Sequence, residues 1–251
     1  MRRVLVPQTL VGRIDLPPAQ AHHLRDVLRM REGAPIEAFD ASGRTGTGHI
    51  VSVGSAGVSI EIEQMNPPPT DHPRITIASA LPKSTRADWM IEKLSELGVD
   101  RFIPLATDRG VVVPHGQEKH RRWGRLAAES ARQSARIGIM RIEPVTDLPT
   151  VLQQIKDSAS AAWYLSPTAQ ATPMSDIGQN SNVTLLIGPE GGWSEGEIAQ
   201  FDSAGVVALR IAPTILRVET AAVAAAAIVQ SILTPAPSVA SIDPHMNRKS
   251  S

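Results

Sequence analysis

The segment LLIGPEGGWSEGEI, Leu185 to Ile198, joins an apolar run to a glycine-rich loop and a helix start. Glycines let backbone N–H groups approach a ligand, and a helix N-terminus favours negative charge, so phosphate is the first candidate. The loop's own residues argue against it. A Walker-type loop needs Gly-Lys followed by Ser or Thr, whereas this one has no basic residue and carries Glu190, Glu195 and Glu197, which would repel a polyphosphate. A neutral or cationic ligand fits better. The second chemical feature is cationic. Read as a helix over 118–137, the chain puts Arg121, Arg125, Arg132 and Arg136 on one face beside Glu129, with Trp123, Leu126, Ala127, Ser130 and Ile137 broadly opposite. Glu129 is the only acid between Lys119 and Arg141, so these arginines cannot be neutralised along their own helix. Such a face is either simply solvated or binds the phosphates of RNA, and Arg25, Arg29 and Arg31 could extend it.

Composition narrows the classes. The 251 residues can bury a sizeable core, and 25 basic against 25 acidic side chains give no net charge, which excludes a globally basic nucleic-acid binder but not a local basic face. Without cysteine there are no disulfides, thiolate zinc sites or cysteine nucleophiles. The seven histidines show no metal-ligand spacing, and the adjacent His22 and His23 point to different helix faces, so no metal is expected. MRRVLVPQTL lacks a long apolar core and a cleavage site, and no run of about 18 apolar residues occurs. No membrane contact and a cytoplasmic location are expected.

The elements that must position these residues change character near residue 70. Residues 35–63 alternate short β-prone runs with turns, PIEAF, DASGR, TGTGHIVSV, GSAG and VSIEIE, which predicts a small antiparallel barrel. GRTGTG lies between strands and reads as a hairpin. AHHLRDVLRMREG predicts a helix with Leu24, Val27 and Leu28 on one face and Gly33 just past its end. The proline-rich NPPPTDHP, 66–73, marks a linker between domains at 1–70 and 74–234. Beyond it, apolar runs (ITIASAL, RFIPLA, RIEPV, AAWYLS, VTLLIG, VVALRIA) alternate with helical patterns, including one capped by Ser84 or Thr85 and stopped at Gly98, and a final alanine-rich helix over 219–233. This alternation predicts an α/β domain with a mostly parallel sheet, whose ligands bind beyond the carboxyl ends of the strands. YLSPTA, IGPEGG and IAPTILRVE are then the candidate loops. The tail 235–251 is proline- and serine-rich without periodicity and predicts disorder.

The ordered set ALPKSTRADWMIEKLSELGV, AAESARQSAR, LLIGPEGGWSEGEI and LRVETA, with HHLRDVLRMREG before it, resembles the 16S ribosomal RNA uridine-N3 methyltransferase family of the SPOUT superfamily. The resemblance spans about residues 1–233. It implies a PUA-like β-barrel followed by a trefoil-knotted α/β domain, with S-adenosylmethionine held mainly by backbone groups of three loops. Carried onto this chain, those loops hold Leu165 and Ser166; Ile187, Gly188, Pro189, Glu190, Gly191 and Gly192; and Ile211, Leu216 and Val218. A sulfonium without phosphate agrees with a glycine loop flanked by acids. The implied target is a uridine near the 3′ end of 16S rRNA, in the 30S subunit or a late assembly particle, modified by a homodimer. Two departures stand out: Val218 replaces the family's usual threonine, and Ala135 a common glycine.

Methylating uridine N3 requires removal of its weakly acidic proton and stabilisation of the anion spread onto O2 and O4. Arg217 is the first candidate cation and Arg136 the second, with Glu219 and Glu129 as candidate bases. Arg25, Arg29, Lys83, Arg121, Arg125, Arg132 and Arg136 are the candidate RNA contacts. Each has a structural rival. Glu219 suits the first turn of the last helix, Ser194 and Glu197 spell a capping box, Glu190 could brace its loop, Arg217 could pair with Glu219 or a second subunit, and Lys83 could shape a turn. Ribose 2′-O methylation and non-enzymatic RNA binding are the competing functions.

Overall fold

The computed structural model describes residues 2–6, 10–41, 43–55, 57–67, 73–82, 85–110, 117–134, 136, 138–168 and 182–234. Lys83, Ser84, Ala135, Ile137 and the tail lie outside them.

The N-terminal unit is one five-stranded sheet built from β1 (Arg2–Leu5), β2 (Gly12–Asp15), β3 (Pro35–Phe39), β4 (Thr45–Gly54) and β5 (Gly57–Asn66), in the order β1-β3-β4-β5-β2. Alternation along these strands turns Val4, Ile14, Ile36, Ile50 and Ile60 into a shared core. Pairing is antiparallel except for β1, which runs parallel to β3. Neither β1 nor β2 was expected, because RRVL and GRID are short and carry arginine. The expected helix is shorter than its pattern. Helix α1 (Pro18–His22) passes into a π-helical turn, His23–Val27, in which Leu28 N donates to His23 O at 3.0 Å. The extra residue slips the helical phase, so Leu24 stays buried while Val27 is turned out, 59% exposed. GRTGTG is indeed hairpin: Asp40 accepts from Arg44 N and Nε, closing the turn. Gly48 stands at a register shift where an added Cβ would lie 1.8 Å from Glu61 O, so only glycine fits.

The C-terminal unit is a parallel sheet: β6 (Ile75–Ser79), β7 (Arg101–Ala106), β8 (Arg141–Ile142), β10 (Ala161–Leu165), β11 (Val183–Ile187) and β12 (Val207–Leu209), in the order β12-β10-β11-β6-β7-β8, with β9 (Thr146–Asp147) also on β7. Helices α2 (Thr85–Glu96), α3 (Gln117–Gln133) and α6 (Val218–Leu233) cover one face, and α4 (Leu148–Asp157) and α5 (Glu195–Ala204) the other. Every residue of β11 is buried, as expected of a central parallel strand covered on both faces.

One expectation fails here. Helix α3 ends at Gln133, so Arg136 does not belong to its cationic face. Its side chain, 9% exposed, lies 3.7 Å from Asp100, and its Nη1 donates to Ser95 O at 3.1 Å and Val99 O at 2.7 Å. Those carbonyls sit at the end of α2, where unpaired acceptors and the helix dipole favour a cation. Burial lowers the Arg136 pKa, and Asp100 raises it in part. The two units meet at this point. Arg3 Nη1 donates to Arg136 O at 3.0 Å, and Gly138 packs against Gly43.

Candidate active site

The loops that follow β10, β11 and β12, neighbouring parallel strands, close around a cavity of about 550 Å³ at their carboxyl ends. From the first come Leu165 and Ser166, from the second Ile187, Gly188, Pro189, Glu190 and Gly192, and from the third Ile211, Leu216 and Val218. Of the expected cofactor residues only Gly191 is off the wall: its carbonyl accepts from Arg109 Nη1 at 3.1 Å, on the loop's outer side.

Trp193 organises this wall, and sequence reasoning passed over it. Its Nε1 donates to Leu165 O at 2.9 Å, tying the second loop to the first. An added Cβ on Gly188 would come within 2.8 Å of the indole, so this glycine makes room for the tryptophan. Tyr164 and Phe201 stack behind the indole, each edge-on to it. The loop turns at Gly192, φ +72°, whose N–H donates to Pro189 O. Ser194 then caps α5 in a complete capping box with Glu197, the structural reading of those residues. Glu197 does more than cap: buried, it accepts from Ser194 N at 2.8 Å and from Asp108 N at 3.1 Å. Ser194 Oγ in turn donates to Asp108 at 2.5 Å, and Arg109 reaches Trp193 O. The loop after β7 therefore clasps the glycine loop, a partnership across 80-odd residues that local spacing could not reveal.

Arg217 is the N-cap residue of α6, exposed and lining the cavity; its side chain makes no capping bond. It does not pair with Glu219. Glu219 is buried, with Oε1 3.3 Å from Arg86 Nη1 and Oε2 without a partner among the described residues, and it is not on the cavity wall. Arg86 also lies 3.7 Å from Glu190, bridging the second loop and α6. Glu129 is likewise remote, bound on α3 by Arg132 and by Gln133 at 2.9 Å. The Arg132 guanidinium, above all, holds its carboxyl below the usual range, which makes it a poor proton acceptor. Thus, of four candidate catalytic residues, the fold brings only Arg217 to the cavity.

On α3, Arg121 and Arg125 are exposed, while Arg132 also meets His23 of the N-terminal unit at 3.3 Å. Arg29, two residues past the π-helical turn, is exposed, and Arg25 is engaged with Asp26 and Gly54 O. Among the described residues no group of three or more His, Asp or Glu side chains could hold a metal ion, and no helix is long and apolar enough to cross a membrane.

A family profile described as an RNA methyltransferase domain matches residues 70–230, and one described as an RNA methyltransferase PUA domain matches 16–63. A ribosomal RNA small subunit methyltransferase E of Mycobacterium bovis is 32% identical over 213 residues, covering 82% of this chain and 81% of the relative. The chain belongs to this methyltransferase family. Its Bacillus subtilis member is 31% identical, over 80% of this chain and 83% of its own. The crystal structure of the Neisseria gonorrhoeae family member bound to S-adenosylmethionine matches with a TM-score of 0.79 and 29% identity, covering 92% of this chain and 98% of that one. A Legionella pneumophila methyltransferase in complex with the same cofactor matches at 0.76 and 27% identity, covering 92% and 97%. The methyltransferase fold is therefore that of SPOUT enzymes preceded by a PUA-like unit.

The cavity suits such a cofactor on its own terms. Leu165, Ile187, Ile198, Ile211 and Leu216 offer apolar surface for an adenine, the loops offer backbone polar groups, and Glu190 stands at the rim facing any positive charge.

Proposed function

We propose that this methyltransferase transfers a methyl group from S-adenosylmethionine to N3 of a uridine near the 3′ end of 16S rRNA, within the 30S subunit or a late assembly particle. The observation that carries the reading is a cavity of three backbone-rich loops whose rim holds one uncommitted capping residue, Arg217. The bound cofactor supplies a methyl group on a sulfonium, a good leaving group. Leu165, Gly188 and Leu216 would hold it through their backbones, with the Trp193 tie to Leu165 O fixing the spacing between loops. For the acceptor, the N3 proton must leave and the resulting anion must be stabilised as the N3–carbon bond forms. Arg217 faces the cavity with its charge unpaired among the described residues, suited to the O2 or O4 of that anion. The three loops would align donor with acceptor, which is most of what such a transfer needs.

The exposed Arg121, Arg125 and Arg29 and the interdomain junction would grip the rRNA backbone. Ile215, 85% exposed on the third loop, suits contact with a second copy, and the same reading takes the active unit as a homodimer acting in the cytoplasm. The trefoil threading belongs to the same reading, supported by three neighbouring strands sending their loops into one cavity. The test incubates the protein with labelled S-adenosylmethionine and 30S subunits lacking the modification, followed by nucleoside analysis of digested 16S rRNA. Label in 3-methyluridine is the expected result. Label on a ribose 2′-oxygen would overturn the N3 assignment, and no label despite cofactor binding would leave an RNA-binding protein.

A further inference from the structure

A second cleft, about 190 Å³, lies at the opposite, amino end of the parallel strands. A parallel sheet covered on both faces ordinarily reads as unbroken apolar runs. Here the first row of one face is polar. Thr184 of β11 pairs with Thr76 of β6, Thr76 with Arg101 of β7, and Arg101 with Arg141 of β8. In-register neighbours project from the same face, so these four side chains form one line across four strands. Two residues further along, the same face carries Leu186, Ala78 and Ile103, the apolar core beneath α4 and α5. The helices cover that core, and the end of α4, through Gln154, Ile155 and Ser158, forms one wall of a cleft over the polar row.

Arg74, just before β6, and Ser160, whose hydroxyl is 3.0 Å from that of Thr184, complete the polar lining. Thr184 is 5% exposed and forms part of the floor. Glu143 lies 2.8 Å from Arg101 Nε and 2.7 Å from Arg141 Nε, and Gln154 Oε1 accepts from Arg101 Nη2. Asp100, just before β7, accepts from Ile75 N and faces Arg136, and Asp157, next to the lining Ser158, is bonded by Gln153. Three guanidiniums against the carboxylate of Glu143 leave an excess of positive charge at the cleft. The Arg74 guanidinium has no partner among the described residues. The carbonyl end of α4 also approaches here, so attraction for an anion must come from the arginines rather than from a helix dipole.

We propose that this cleft binds a phosphate-class oxyanion, with Arg74 and Arg141 as charged contacts and the Thr184 and Ser160 hydroxyls at its floor. Its source is either a phosphodiester of the RNA substrate, far from the methylated base, or free phosphate. Only the RNA alternative rests on the proposed rRNA substrate. The experiment titrates inorganic phosphate into isotope-labelled full-length protein while following backbone amide signals. Saturable shifts at Thr76, Arg101 and Thr184, lost in the Arg74→Ala/Arg141→Ala double variant with the rest of the spectrum intact, are expected. In parallel, 16S rRNA binding is measured across salt concentrations. If the source is RNA, the variant binds several-fold more weakly and its log K against log salt slope falls by about 1 to 2, with S-adenosylmethionine affinity unchanged. Unaltered rRNA binding beside lost phosphate shifts assigns the cleft to free phosphate. No saturable phosphate shift together with unaltered rRNA binding overturns the proposal.

Discussion

At the scale of single residues, Arg217 and Glu129 make opposite predictions. Arg217 caps no helix through its side chain and lines the cavity, so Arg217→Ala should lower kcat by about 10²- to 10³-fold, the loss typical of a removed anion-stabilising donor. Calorimetric cofactor affinity should change only slightly, and an equal loss in both would mean a binding role instead. Glu129→Gln should leave turnover unchanged, because that carboxylate is neutralised by Arg132 on another surface. Gly188 offers a steric test. A Cβ there would meet the Trp193 ring at 2.8 Å, and the ring cannot retreat without giving up its bond to Leu165 O. Gly188→Ala should therefore cost about 1–3 kcal/mol in denaturant unfolding, as overpacking does, and weaken cofactor binding.

Among the elements, the helix starts carry most of the local encoding. The capping box of Ser194 and Glu197 could be read directly, and α5 begins where that signal places it; α4 likewise starts at a capping residue, Asp147, with proline in its first turn. Asp147 also predicts a pH dependence. Hydrogen bonds from the Thr150 hydroxyl, first, and from Thr150 N hold its carboxyl below the usual range, so folding binds this group in its ionised form. That contribution is present above the ordinary carboxylate pKa and is lost as pH falls through the depressed value. Asp147→Asn keeps a cap but removes the titration, so thermal melting should become less steep in acid while hardly moving at neutral pH. Where encoding failed, backbone geometry intervened: the π-helical turn at His23–Val27 rotated Val27 out of the core, and nothing in an apolar spacing announces an inserted residue.

For the molecule as a whole, Arg136 is the hinge between reading and outcome. It binds the end of α2 through its side chain and Arg3 of the first sheet through its carbonyl. Arg136→Met should cost about 1.5–3 kcal/mol, the range for hydrogen bonds to a charged group. It should also speed proteolysis near residues 66–73, whereas unchanged cleavage would show that the junction does not depend on it. Local sequence determined the two kinds of domain and the capping box of α5, because backbone conformation and charge within a dozen residues suffice for these, while the residues of the cavity wall were named through the family resemblance. The tertiary structure alone decided that Arg86, not Arg217, takes Glu219, that Asp108 and Arg109 clasp the glycine loop, and that Thr184, Thr76, Arg101 and Arg141 form one row. Parallel pairing sets residues side by side that lie dozens of positions apart in the chain, and the register that does so is a property of the packed sheet rather than of any one segment.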